Sequence, residues 1–195
     1  MITMRNIIVE GHPTLEKVSI PVKTPLSFSD KRLARDLHQF VVNSQDEKMS
    51  EKYNLRAAVG IAAPQVNISK RMFAVHFNFE NEIYSYVVVN PKMTYQSEEL
   101  TYLPGGEGCL SVDYVTEGLT PRFWEVEFEF LKFDPETNKL EPATVRLTGY
   151  PAIVFQHEFD HLEGVLFTTK LFDELPDIKP AFEIEYIDED DEEDQ

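Results

Sequence analysis

Residues 124 to 130, Trp124-Glu125-Val126-Glu127-Phe128-Glu129-Phe130, alternate strictly between apolar and acidic side chains. A period of two predicts a strand with one buried face and its glutamates in water. Arg71 to Phe77 and Ile83 to Asn90 read as two further strands across a polar turn, and Ala143 to Leu147 as another. The period changes at two places. Ser29-Asp30 ahead of Leu33, Leu37, Phe40 and Val41 reads as an N-cap followed by an apolar stripe at helical spacing. Tyr150-Pro151-Ala152-Ile153-Val154-Phe155 opens a second helix, with Pro151 at its first position, apolar residues to bury it and Gly164 to stop it. Several antiparallel strands with few helices predict an α+β fold, the strands arranged around that second helix.

Composition narrows the picture. A chain of 195 residues, 42% hydrophobic, builds one domain with a sizeable core. The formal charge is uneven: −11 of the total −17 falls in residues 173–195, leaving −6 for residues 1–172. The expectation is a single catalytic domain over 1–172 and an acidic C-terminal segment over 173–195. Seven consecutive acids, Asp188 through Asp194, repel one another and predict partial disorder there. A mildly acidic body would repel a phosphate backbone, so direct nucleic-acid binding is not expected. No signal peptide and no membrane-length apolar run are visible, and a single cysteine excludes an internal disulfide; both suit a reducing cytoplasm.

The second helix carries chemistry as well as packing. His157-Glu158-x-x-His161 places two imidazoles four residues apart, on one helix face with Cβ atoms roughly 5–6 Å apart, where both can reach one metal ion. Glu158 projects about 100° around the axis, close enough to act as a base on a water at the metal. A catalytic metal needs a third protein ligand. A His at 167 would complete one known protease pattern, but Phe167 stands there. Glu183 or Glu185 would suit a zinc peptidase, although both sit where the chain turns into its run of acids. The lone Cys109, in Gly105-Gly106-Glu107-Gly108-Cys109-Leu110-Ser111, is the upstream candidate, and its glycines permit close backbone approach. His12, His38 and His76 lack partners at ligand spacing and read as surface or satisfied structural residues.

Three blocks in order resemble the signatures of peptide deformylase: Val59-Gly60-Ile61-Ala62-Ala63-Pro64-Gln65, Glu107-Gly108-Cys109-Leu110-Ser111 and Gln156-His157-Glu158-Phe159-Asp160-His161-Leu162. The similarity extends to Gly11-His12-Pro13-Thr14-Leu15 and Tyr102-Leu103-Pro104. With the long segment between Phe40 and Ala58, it resembles the type II bacterial class over residues 1 to about 172. Ala58 departs from the family's usual Gly, which is harmless at negative φ and strained at positive φ.

The resemblance implies Cys109, His157 and His161 as metal ligands and Glu158 as general base. It implies the Leu110 N–H and the Gln65 amide as oxyanion donors. Leu103, Tyr150, Ile153 and Val154 would line a methionine pocket, with Val59 and Gly60 pairing with the substrate backbone. The implied reaction is hydrolysis of the N-formyl group of N-formylmethionyl peptides from new polypeptides, releasing formate. Fe²⁺ is the implied native ion, and Zn²⁺, Ni²⁺ or Co²⁺ suit the same ligands. Newly made substrates raise the question of ribosome contact, which the residues leave open.

Overall fold

The computed structural model describes residues 1–183. Its strands are β1 (Gly60–Ala62), β2 (Met72–Phe79), β3 (Glu82–Gln96), β4 (Leu100–Tyr102), β5 (Arg122–Phe123), β6 (Glu125–Phe133), β7 (Leu140–Thr148) and β8 (Lys179–Pro180). Its α-helices are α1 (Phe28–Gln45), α2 (Glu47–Tyr53) and α3 (Gly149–Leu162). An antiparallel sheet runs β1-β2-β3-β6-β7, and a small sheet runs β5-β4-β8 with β8 parallel to β4. The expected α+β class is the observed one.

Strand alternation decides which helix covers which face. In β2, Met72 and Ala74 pack with Leu33, Leu37, Phe40 and Val41 of α1, whereas Phe73, Val75 and Phe77 pack with the side of the core that holds α3. Both faces of β2 are covered, which is why Met72 to Val75 form an unbroken apolar run. On β6, Val126, Phe128 and Phe130 turn toward α3 while Glu129 is exposed.

Local details differ from the sequence reading. The cap of α1 is Ser27, whose hydroxyl accepts from the Asp30 N–H at 3.1 Å and donates back to the Asp30 carboxylate at 2.6 Å. This reciprocal pair wins over Ser29, which lies inside the first turn. Strand β3 continues past Asn90-Pro91, because a register shift between Val89 and Lys92 absorbs the proline and the positive φ of Asn90. The segment between Phe40 and Ala58 is the end of α1 followed by α2.

Two residues bear on the expected boundary at 172. Lys179 and Pro180 form β8 against Thr101 and Tyr102, so this part of the segment after 172 pairs with the body of the protein. The run Asp188 to Asp194, for which disorder is expected, lies outside the described residues. Among the described residues, no helix is long and apolar enough to cross a membrane.

Candidate metal centre

Helix α3 is buried on nearly every side, with Phe155 fully enclosed and edge-on to Phe73 at 5.5 Å and Tyr86 at 5.8 Å. Pro151 sits in its first turn, and Gly164 ends it at φ +73°. No other residue fits at 164: a Cβ there would lie 2.7 Å from the Glu16 carbonyl carbon and 2.8 Å from Lys17 backbone atoms. The helix is thereby locked in place, and the rings of His157 and His161 stand 5.1 Å apart on one face.

The loop between β4 and β5 brings Cys109 to that face. One ligand atom each from Cys109, His157 and His161 lies within 4.8 Å of the others, and Cys109 Sγ is 3.3 Å from His161 Nε2. Gly105 and Gly106, at φ +86° and +84°, turn the chain into this approach. Arg56 then holds the loop, donating to the carbonyls of Cys109 at 3.1 Å and Leu110 at 3.3 Å. The Gln65 amide and the Ser111 N–H both point at the sulfur, each at 3.4 Å. Burial alone would push the thiol up, but the adjacent imidazoles of His161 and His157 hold it well below its ordinary value.

A buried carboxylate orients the first histidine. Glu107 accepts from His157 Nδ1 at 2.7 Å, which fixes the tautomer and leaves Nε2 for the ion. Glu107 is itself clamped by Arg122 through two bonds of 2.7 and 2.9 Å, and Arg122 also pairs with Asp160, which Lys170 reaches. Burial would raise the carboxyl of Glu107, yet Arg122 and His157 together bring it down to about 2. A fully paired network of this kind holds its members in one arrangement.

Glu158 is in the opposite situation. It is buried, its Oε2 has no hydrogen-bond partner among the described residues, and burial raises its carboxyl to about 7 against the pull of the imidazoles. It lies against Gly60, where a Cβ would be 2.7 Å from its Cδ and 2.8 Å from its Cγ. Only glycine lets the sheet edge come this close. The donor set of one low-pKa thiol and two imidazoles, one with a carboxylate partner, beside a carboxyl with an orphaned oxygen, fits a single divalent cation.

A cleft of about 320 Å³ opens over this centre, lined among others by Val59, Gly60, Gln65, Leu103, Cys109, Leu110, Tyr150, Ile153, Val154, His157 and Glu158. Of the residues that the resemblance implies for the site, all line the cleft except His161, which is buried. The Leu110 N–H has no protein acceptor among the described residues. Val59 and Gly60 lie at β1, an edge of the larger sheet, and Ala63–Val66 follows as a 3₁₀ turn stapled by Gln65 Oε1 accepting from the Ala62 N–H at 2.8 Å. Ala58 is not among the positive-φ residues, so its methyl is unstrained. Glu183 is outside the ligand group, and Glu185 lies outside the described residues. His12, His38 and His76 all have partners elsewhere, the last two sharing the Ser85 hydroxyl.

Sequence reasoning assigned no role to Glu107, Arg122 or Arg56. Glu107 stands two residues before Cys109, but its partners Arg122 and His157 come from β5 and α3 and leave no periodic trace.

Similarity to known proteins agrees with this geometry. The family model described as polypeptide deformylase matches residues 4–175. A peptide deformylase of Oceanobacillus iheyensis is 48% identical over 177 residues, covering 90% of this chain and 94% of the relative. Peptide deformylase 2 of Bacillus subtilis is 45% identical over 181 residues, covering 92% and 96%. The crystal structure of class I type b peptide deformylase from Acinetobacter baumannii with Met-Ala-Ser bound matches with a TM-score of 0.65 at 30% identity, covering 85% of this chain and 96% of that one. With its model matched over most of its length and relatives this similar, the chain belongs to the polypeptide deformylase family.

Proposed function

We propose that the chain removes the N-formyl group from the N-terminal methionine of newly made polypeptides, with Cys109, His157 and His161 holding one Fe²⁺. The observation that carries the reading is the convergence of a thiol and two imidazoles beneath a cleft whose wall holds the buried Glu158, its Oε2 without a hydrogen-bond partner among the described residues. When bound, the ion supplies Lewis acidity, lowering the pKa of a coordinated water from about 15.7 toward about 7.

The protein's own groups do the rest. Glu158, with a carboxyl near neutrality, takes the proton of the attacking water and returns it to the departing amine. The Leu110 N–H, free of any protein acceptor among the described residues, and the Gln65 amide, fixed through Ala62, donate to the oxygen that gains charge. Glu107 keeps His157 in the ligand orientation throughout. Leu103, Tyr150, Ile153 and Val154 offer an apolar wall suited to a methionine side chain. The edge position of β1, with Val59 and Gly60 lining the cleft, suits pairing with the substrate backbone, which recognises a peptide without reading most of its side chains. The Met-Ala-Ser held by the Acinetobacter relative is the kind of product this reaction leaves. Work on nascent chains in the cytoplasm, with contact to the ribosome, belongs to the same reading.

The test is formate release from N-formyl-Met-Ala-Ser under anaerobic conditions. Activity should vanish on chelation and return with one equivalent of Fe²⁺ per chain. Turnover that is indifferent to chelation at verified metal loss overturns the reading.

A further inference from the structure

The acidic composition after residue 172 suggests a solvated tail, but its first part is fastened to the body at two points. Phe172 and Leu119 exchange backbone hydrogen bonds at 2.8 and 2.9 Å. Further on, the Lys179 carbonyl accepts from the Thr101 hydroxyl at 3.0 Å, and the Ala181 N–H donates to the Tyr102 carbonyl at 2.9 Å. Residues 172–182 therefore form a strap pinned at Leu119 by Phe172 and at β4 by Lys179 to Ala181, and β4 leads directly into Leu103 of the cleft wall.

The strap ends in an aromatic wedge. Phe182 stands edge-on to Tyr150 at 6.1 Å and tilted against Phe79 at 6.4 Å, while Tyr150 also meets Phe77 at 5.4 Å and Phe79 at 5.2 Å. Tyr150 lines the cleft, so these rings set how far its ring stands into the space. The approach is close enough that the Ala181 carbonyl comes 3.8 Å from where a Cβ on Gly149 would be. Tyr150 precedes His157 by seven residues, or roughly 10 Å along the helix axis. A shift of its ring changes the pocket without reaching the ligand atoms.

We infer that Phe182 and the strap that carries it are a specificity-determining part of the side-chain pocket, acting through Tyr150 and Leu103. Phe182 touches no reacting atom and is a positioning residue. The inference rests on the deformylase reading, because the pocket it shapes is the one proposed to take the methionine side chain.

The test compares the full chain with Phe182→Ala and Phe182→Tyr on N-formyl-Met-Ala-Ser and N-formyl-Ala-Ala-Ser, with metal content measured on the same samples. The contacts of Phe182 with Tyr150 and Phe79 act on the substrate only by fixing the Tyr150 ring, so their worth, about a tenfold factor, is the ceiling of the effect on binding. Phe182→Ala should therefore raise KM for the methionine substrate by up to about tenfold and narrow its advantage over the alanine substrate. Its kcat and metal content should stay within about twofold, because loss of binding shared by ground and transition states appears in KM alone. Phe182→Tyr, which keeps the ring, should restore both KM and selectivity.

An unchanged KM and selectivity in Phe182→Ala overturns the inference. So does a fall in kcat or metal content at constant KM, which marks a general structural role. Absence of formate from the metal-loaded parent protein sinks the deformylase reading and the inference together. Normal turnover by the parent with an indifferent Phe182→Ala sinks only the role of Phe182.

Discussion

Gly60→Ala puts one methyl group where the sheet edge touches the proposed base. The added Cβ would lie 2.7 Å from Glu158 Cδ and 2.8 Å from its Cγ, with Oε1 nearer still. Ordinary carbon–carbon contact begins at about 3.5 Å, so the side chain must retreat by about 1 Å. Glu158 is only 4% exposed, and the open space beside it is the cleft it lines, where the reacting atoms would sit. The methyl itself costs about 1–3 kcal/mol as overpacking, a loss the fold survives. Displacing a reacting group by about 1 Å costs on the order of 10²-fold in rate. The metal should remain, because the three atoms nearest a Cβ at 60 all belong to Glu158, which is not a ligand. Formate release, metal analysis and a thermal melt on one preparation should show kcat down about a hundredfold, one ion per chain and a modestly lowered Tm. A kcat within about threefold of the parent would refute the reasoning that Gly60 sets the position of Glu158.

Glu107→Gln keeps a hydrogen-bonding group beside His157 but removes the charge shared with Arg122; metal affinity should fall about 10–100-fold, read by competition with a chelator. The folded carboxyl of Glu107 lies at about 2, below its ordinary 4.5, so its stabilisation is full above about pH 4.5 and lost as pH falls toward 2. Calorimetry should therefore show a Tm gap between the parent and Glu107→Gln at neutral pH that closes on acidification; a gap that widens contradicts the sign. Gly164→Ala combines a positive φ with a Cβ 2.7 Å from the Glu16 carbonyl carbon, and should cost about 2–4 kcal/mol in urea unfolding. A loss under about 0.5 kcal/mol would mean that the backbone at Glu16 and Lys17 yields freely.

How much of this was legible depended on whether a feature repeats along the chain. Val126, Phe128 and Phe130 alternate, and so β6 and its buried face could be read directly. His157 and His161 share a helix face by spacing alone, and Pro151 and Gly164 mark the ends of that helix. The third ligand was not derivable from periodicity: Cys109 reaches α3 from a loop 48 residues earlier, and the family resemblance supplied it. Glu107 and Arg122 were missed because a buried ion pair between a loop and a two-residue strand leaves no pattern, only two charged residues that look solvated. The strap was masked differently. Its acids dominate composition, whereas its attachment rests on backbone hydrogen bonds and one aromatic ring, which composition does not register. Ser29 reads as the helix cap because it stands just ahead of the apolar stripe, whereas Ser27 takes that place because its hydroxyl reaches the Asp30 N–H three residues on.

The central claim is that Cys109, His157 and His161 hold one ion while Glu158 moves the proton. Glu158→Ala tests it most directly, with metal content and formate release from N-formyl-Met-Ala-Ser measured on the same anaerobic sample. One ion per chain should remain, since Glu158 is not in the ligand group, and turnover should fall by about 10²–10⁴-fold. Turnover that survives with the ion in place, or an ion lost with the carboxylate, would contradict the account.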